Sequence, residues 1–83
     1  MTRWSSLLAE VEWYSGHRGR ERPRAVVVGG ERFPVTLESA SAVGPTVAGL
    51  PARRVFVVRG GSRLLRICLG EDGRATVEEE EGR

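Results

Sequence analysis

Ala25-Val26-Val27-Val28-Gly29-Gly30-Glu31-Arg32-Phe33-Pro34-Val35 decides how this chain folds, because it sets two β-prone runs on either side of a glycine pair. The primed two-residue hairpin turns need positive φ, which glycine adopts without steric cost. With Gly29-Gly30 as the turn, Val28 faces Glu31 and Val26 faces Phe33. That register puts Val26, Val28, Phe33, Val35 and Leu37 on one face, the core face, and Val27, Arg32 and Pro34 on the other. Pro34 has no N–H to give to a ladder, so its strand belongs at a sheet edge or at a bulge.

Working outward, Gly60-Gly61 joins Arg54–Arg59 to Ser62–Leu69 in a second hairpin. The same register logic sets Phe56 against Leu65 and Val57 against Leu64, so both faces of this hairpin are apolar. Its outer face is therefore expected to meet either the N-terminal segment or a second copy of the chain. Gly70-Glu71-Asp72-Gly73 reads as a third turn, with Gly73 in the left-handed region, leading to a short last strand over Arg74–Val77. Before the first hairpin, Val11-Glu12-Trp13-Tyr14 has the residue types of a strand. Trp4, Leu7, Leu8 and Val11 fall at i, i+3, i+4 and i+7, which predicts a short helix over residues 1–10, N-capped by Thr2 and packed on the second hairpin. Residues 38–53, rich in small side chains and holding Gly44, Pro45, Gly49 and Pro51, read as a long connection pinned by Val43, Val47 and Leu50. Residues 78–83 read as a solvated, frayed acidic tail. About five short antiparallel strands with glycine turns describe a single mainly-β domain, with an SH3-like barrel as the expected architecture and a small OB-like barrel as the alternative.

Composition sets the outer bounds. A chain of 83 residues makes one domain, and a domain of that size hides only about 60% of the surface its unfolded form exposes. One cysteine, Cys68, permits no intramolecular disulfide and no cysteine cluster, which suits a reducing cytoplasmic setting. The first residues are too polar and too short an apolar run for a signal peptide or a membrane span, so no membrane partner is expected. All 13 basic residues are arginine, with no Lys, Asn or Gln anywhere, a bias that belongs to the coding genome before it belongs to function. The net charge of +2 hides an asymmetry: residues 1–77 hold twelve bases against seven acids, while the last six residues hold four glutamates and one arginine. A basic body permits contact with polyanions, which bears on association and solubility and not on fold.

One stretch stands apart chemically. Tyr14-Ser15-Gly16-His17-Arg18-Gly19-Arg20-Glu21-Arg22-Pro23-Arg24 is punctuated by Gly and Pro and reads as a loop, or as a strand end with a loop. Arg18, Arg20, Arg22 and Arg24 are the residue type that pairs bidentately with phosphate and stacks on bases, and Trp13 and Tyr14 beside them supply a stacking platform. These six residues form the candidate nucleic-acid site. The competing reading is a solvated loop in which Glu12, Glu21 and Glu31 neutralise the arginines. His17, the sole histidine, has no Ser or Cys in a catalytic arrangement and reads as surface. Cys68 reads as a small half-buried apolar residue, and Glu71-Asp72 as a turn, not a metal pair. With no paired acid and base, no metal-ligand set and no activated nucleophile, the expectation is a non-catalytic binding module without a cofactor. Its partners would be nucleic acid or an acidic protein, and the chain itself a monomer or weak homodimer. The alternative is a protein-interaction or self-associating module that uses the apolar face of the 54–69 hairpin. An acidic tail could also fold over the arginine loop and compete with an anionic partner.

Val11-Glu12-Trp13-Tyr14-Ser15-Gly16-His17-Arg18, then Glu21-Arg22-Pro23-Arg24 and Gly29-Gly30-Glu31-Arg32, resemble a family of small bacterial proteins. That family combines an aromatic-Ser-Gly stretch, a Glu-Arg-Pro element, a Val- or Phe-rich strand, a Gly-Gly turn and later Val-Arg and Leu-Arg strands. Phe56-Val57-Val58-Arg59 and Leu64-Leu65-Arg66 match the later strands. The resemblance covers residues 11–37 and, more loosely, 54–70; the connection here lacks the family's acidic and aromatic residues, and no Asp follows Arg66. The family has no established activity, so the resemblance implies a small β domain and no reaction.

Overall fold

The first hairpin forms as the glycine pair requires. In the computed structural model, which describes residues 3–14, 22–47, 50–70 and 73–81 and leaves the side chains of residues 43–52 undescribed, Gly29 and Gly30 have φ of 58° and 82°. They join β3 (Arg22–Val28) to β4 (Glu31–Pro34), with Val28 opposite Glu31 and Val26 opposite Phe33. With β2 (Glu10–Tyr14) on the other side of β3, they make a three-stranded antiparallel sheet in the order β2-β3-β4. Pro34 lies on an edge strand, where its missing N–H costs no ladder bond.

The remaining strands are β1 (Trp4–Leu7), β5 (Thr36–Val47), β6 (Leu50–Gly60), β7 (Arg63–Gly70) and β8 (Ala75–Glu80). They form a second antiparallel sheet in the order β1-β8-β7-β6-β5. The chain leaves the small sheet at Pro34 and enters the large one at Thr36, with the Val35 N–H donating to the Arg24 carbonyl at 3.0 Å. The inner faces then close on one core of Val26, Phe56, Val58, Leu65, Ile67 and Val77, with Leu7, Val11, Trp13, Val28, Val35 and Leu37 half-buried around it. Burying side chains of this size stabilises the fold by about 1.5–3 kcal/mol each. The architecture is all-β, two packed antiparallel sheets, and among the described residues no backbone ladder closes them into a barrel.

Several expectations are corrected. Residues 4–7 are not helical: β1 pairs with β8, from Trp4 opposite Glu80 to Leu7 opposite Val77, and Leu8 stands 96% exposed. A helix this short and without a capping box has little stability of its own, whereas the free edge of β8 offers a ready ladder. The 38–53 connection is instead a long β5–β6 hairpin. β5 is an edge strand with Leu37 packed against the core, so little alternation marks it, and Gly44-Pro45 falls in a register irregularity between Val43 and Thr46. Pro51 lies beyond the reach of β7, whose last residue Gly70 faces Arg53, so it too sits on an edge. The side chains of Val43, Val47 and Leu50, expected to pin this segment, lie outside the described residues.

The second hairpin turns at Gly61-Ser62, with Gly61 at φ 61°, so Phe56 faces Ile67 and Val57 faces Arg66. Gly60 is kept in the ladder because the chain crosses there: a Cβ on it would meet Val35 Cγ1 at 3.3 Å and the Pro34 carbonyl at 3.4 Å. The slip moves each partner by two, which preserves the face of every side chain. Gly73, at φ 84°, closes the third turn by donating to the Gly70 carbonyl at 3.0 Å. The last strand runs through the supposed tail, since Glu78, Glu79 and Glu80 belong to β8 and lie between β7 and β1. Cross-strand arginines explain how a glutamate run holds an extended ladder.

Candidate nucleic-acid interface

Arg22-Pro23-Arg24 opens β3. The ladder sets Tyr14 opposite Arg22 and Trp13 opposite Pro23, then jumps to Glu12 opposite Ala25, which leaves Arg24 as the extra residue of a bulge. Such a bulge re-aims side chains near the strand end. Here it leaves Arg22 and Arg24 exposed while Pro23 is buried between them. The Arg24 guanidinium lies over the Tyr14 ring, 5.5 Å from its centroid, and Tyr14 keeps 51% of its surface in solvent. An aromatic face and two cations thus share one end of the small sheet. Arg18, Arg20 and His17, in the connection between β2 and β3, lie outside the described residues.

Trp13 is not part of that surface. Strand alternation turns it inward, where it meets Phe56 edge to face at 5.6 Å and 68°. Tyr14, one residue on, is therefore the platform, and Trp13 fixes the strand that carries it.

Two of the carboxylates expected to neutralise the cluster, Glu12 and Glu31, act on other arginines. Glu12 accepts from Arg32 Nε, 3.0 Å from each of its carboxylate oxygens. Glu31 acts on Arg63. Among the described residues no ion pair joins a carboxylate to Arg22 or Arg24. Glu21 lies outside the description.

The large sheet shows the opposite arrangement. Arg63 donates to both oxygens of Glu79, at 2.6 and 2.8 Å, and its guanidinium lies 5.3 Å from the centre of the Phe33 ring. Those hydrogen bonds hold the Glu79 carboxyl below the ordinary carboxylate range, against the opposing effect of desolvation. Arg66 donates to Glu78 at 2.8 Å and carries Trp4 over its guanidinium at 4.6 Å. Glu78 and Glu79 of β8 are thus bound to β7, and these two do not reach over as a competing tail. On the outer face of this sheet, Val55, Val57, Leu64 and Cys68 remain half-exposed.

The sequence reading found Tyr14, Arg22 and Arg24 together but missed that alternation separates Trp13 from them. It also missed Arg32 as the ion-pair partner of Glu12. The first hairpin alone does not carry that signal, since Arg32 and Glu12 flank β3 on one face only once β2 has paired on its other side. Among the described residues no group of three His, Cys, Asp or Glu side chains could hold a metal, and no helix is long and apolar enough to cross a membrane. No family model, curated protein or solved structure matches this chain.

Proposed function

We propose that this domain is a non-catalytic binding module that contacts the phosphates of nucleic acid through Arg22 and Arg24, with Tyr14 as the surface on which a base stacks. One observation carries the reading: Arg22 and Arg24 lie exposed beside an exposed tyrosine and are ion-paired to none of the described carboxylates. Arginine in that state is open to bidentate pairing with phosphate, and aromatic stacking adds about 1–3 kcal/mol per base. Arg18 and Arg20, close by in sequence, extend the same chemistry. The bend from Pro34 to Thr36 supports an unclosed relative of the SH3-like barrels as the scaffold.

The test is an amide-shift titration with short single- and double-stranded oligonucleotides at low and high salt. Shifts confined to Tyr14, Arg22, Arg24 and the intervening connection, fading as salt rises, are the expected outcome, because phosphate contacts release counterions. Shifts elsewhere, or binding indifferent to salt, would overturn the reading.

A further inference from the structure

Among the described residues, the longest sheet edge contains one undefended stretch. β5 has β6 on one side and no described strand on the other, so alternate N–H and C=O groups along it point outward without a ladder partner. Proteins keep such edges from pairing by charge, proline, bulges or brevity. The other edges use these devices: β1 has four residues, β2 carries Glu10 and Glu12, and β4 has four residues that include Glu31, Arg32 and Pro34. β5 has irregularities after Leu37 and after Val43. Between them Ser39-Ala40-Ser41-Ala42-Val43 pairs with β6 without a break and contains neither charge nor proline. Ser39, Ala40, Ser41 and Ala42 are all exposed. Ala40 lies opposite Phe56 and shares its inward face, so the small sheet stops short of this part of the strand.

We propose that this segment is a homodimer edge, on which a second copy lays its own residues 39–43 antiparallel about a two-fold axis at Ser41, so that the two five-stranded sheets become continuous. The proposal goes beyond polyanion binding and uses a different part of the molecule. The case for a second copy is its self-match. Two-fold antiparallel pairing sets Ser41 opposite Ser41, Ala40 opposite Ala42 and Ser39 opposite Val43, every position uncharged. The nearest carboxylate, Glu38, then falls opposite Gly44 and not against its own counterpart, so no like charges meet across the axis. Closed two-fold pairing also consumes the edge in both copies and stops further growth.

The experiment is sedimentation equilibrium of the full chain, combined with oxidative cross-linking of Ser41→Cys in a Cys68→Ser background. Directly opposed antiparallel residues have Cα atoms about 4.5–5.5 Å apart, within disulfide reach. A concentration-dependent dimer is expected, with Ser41→Cys cross-linking far faster than a control Ser62→Cys at the exposed turn. Ser41→Lys is expected to abolish the dimer and to leave thermal unfolding unchanged at dilutions where the wild type is itself monomeric. A wild-type chain that stays monomeric at about 1 mM, the weak end of the affinity scale, would overturn the proposal. So would equal cross-linking of the two cysteines, or a dimer that survives Ser41→Lys, which would place the contact on the outer face of residues 54–69. Protection of the 39–43 amides only on addition of an unrelated extended peptide would overturn the second copy as the occupant.

Discussion

Arg63 and Arg66 on β7 and Arg22 and Arg24 on β3 are the same residue type on the same kind of ladder, and they differ in what stands across from them. Arg66 sits directly opposite Glu78, and Arg63 reaches Glu79 on the same strand. Arg22 sits opposite Tyr14, and Arg24 stacks on that tyrosine. The β7 pairs are half-buried, with side chains about a third exposed, and serve the fold. Arg22 and Arg24 of β3 are exposed and ion-paired to none of the described carboxylates. A count of arginines does not separate these cases; the neighbouring strand does.

Four sets of substitutions probe the difference between β7 and β3, and the largest effect is expected at the core that both regions share. Phe56 packs on Trp13, which positions Tyr14, and it stands beside Ile67 of β7 as well. Phe56→Ala should lower unfolding free energy by about 3–5 kcal/mol, read by urea denaturation, and should weaken oligonucleotide binding along with it. A loss below about 1 kcal/mol would mean that the two sheets do not share this core.

Next in size is the double substitution Arg22→Ala with Arg24→Ala. The slope of log affinity against log salt should fall by about one per lost phosphate contact, while stability changes by less than about 0.5 kcal/mol. A large stability loss with unchanged binding would move these arginines into the structural class.

Arg63→Ala should do the reverse. After allowance for solvent screening of a partly exposed pair, it should cost up to about 1 kcal/mol in urea denaturation and leave oligonucleotide affinity where it was. If affinity falls as well, the contrast between the two strands fails.

The smallest effect is in pH. The folded-state pKa of Glu79 is lowered, chiefly by the hydrogen bonds from Arg63. Its contribution to stability is thus complete above the unfolded carboxyl value of about 4.3 and is lost as pH falls from there through the lowered folded value. Urea midpoints of the wild type should therefore drop more steeply below about pH 5 than those of Glu79→Gln, the carboxyl range where this linkage operates. Parallel curves would show that the pair contributes nothing.

Legibility in the sequence followed local chemistry. The first hairpin was readable to the residue because Gly29-Gly30 fixes both turn and register, and the inward face of the second survived its slip because a shift of two keeps parity. Where structure depends on a distant partner, the sequence misled. Trp4-to-Leu7 has helical spacing but is recruited by the edge of β8. The small residues of β5 show no alternation because that strand is paired on one side and barely touches the core. The glutamates of β8 read as a tail because Arg63 and Arg66, which hold Glu79 and Glu78, stand more than ten residues away in the chain. The adjacency of Tyr14, Arg22 and Arg24 was legible, whereas the engagement of Glu12 by Arg32 required the fold of three strands.

The most direct measurement is fluorescence anisotropy of one labelled oligonucleotide at low salt, titrated in parallel with the wild type, the Arg22→Ala/Arg24→Ala variant and the Arg63→Ala/Arg66→Ala variant, each confirmed folded by circular dichroism. If the open arginines of β3 are the binding surface, the first variant loses affinity by about tenfold or more, equivalent to about 1.4 kcal/mol, and the second matches the wild type. Equal losses in both variants, or none in the first, would contradict the distinction between the two strands.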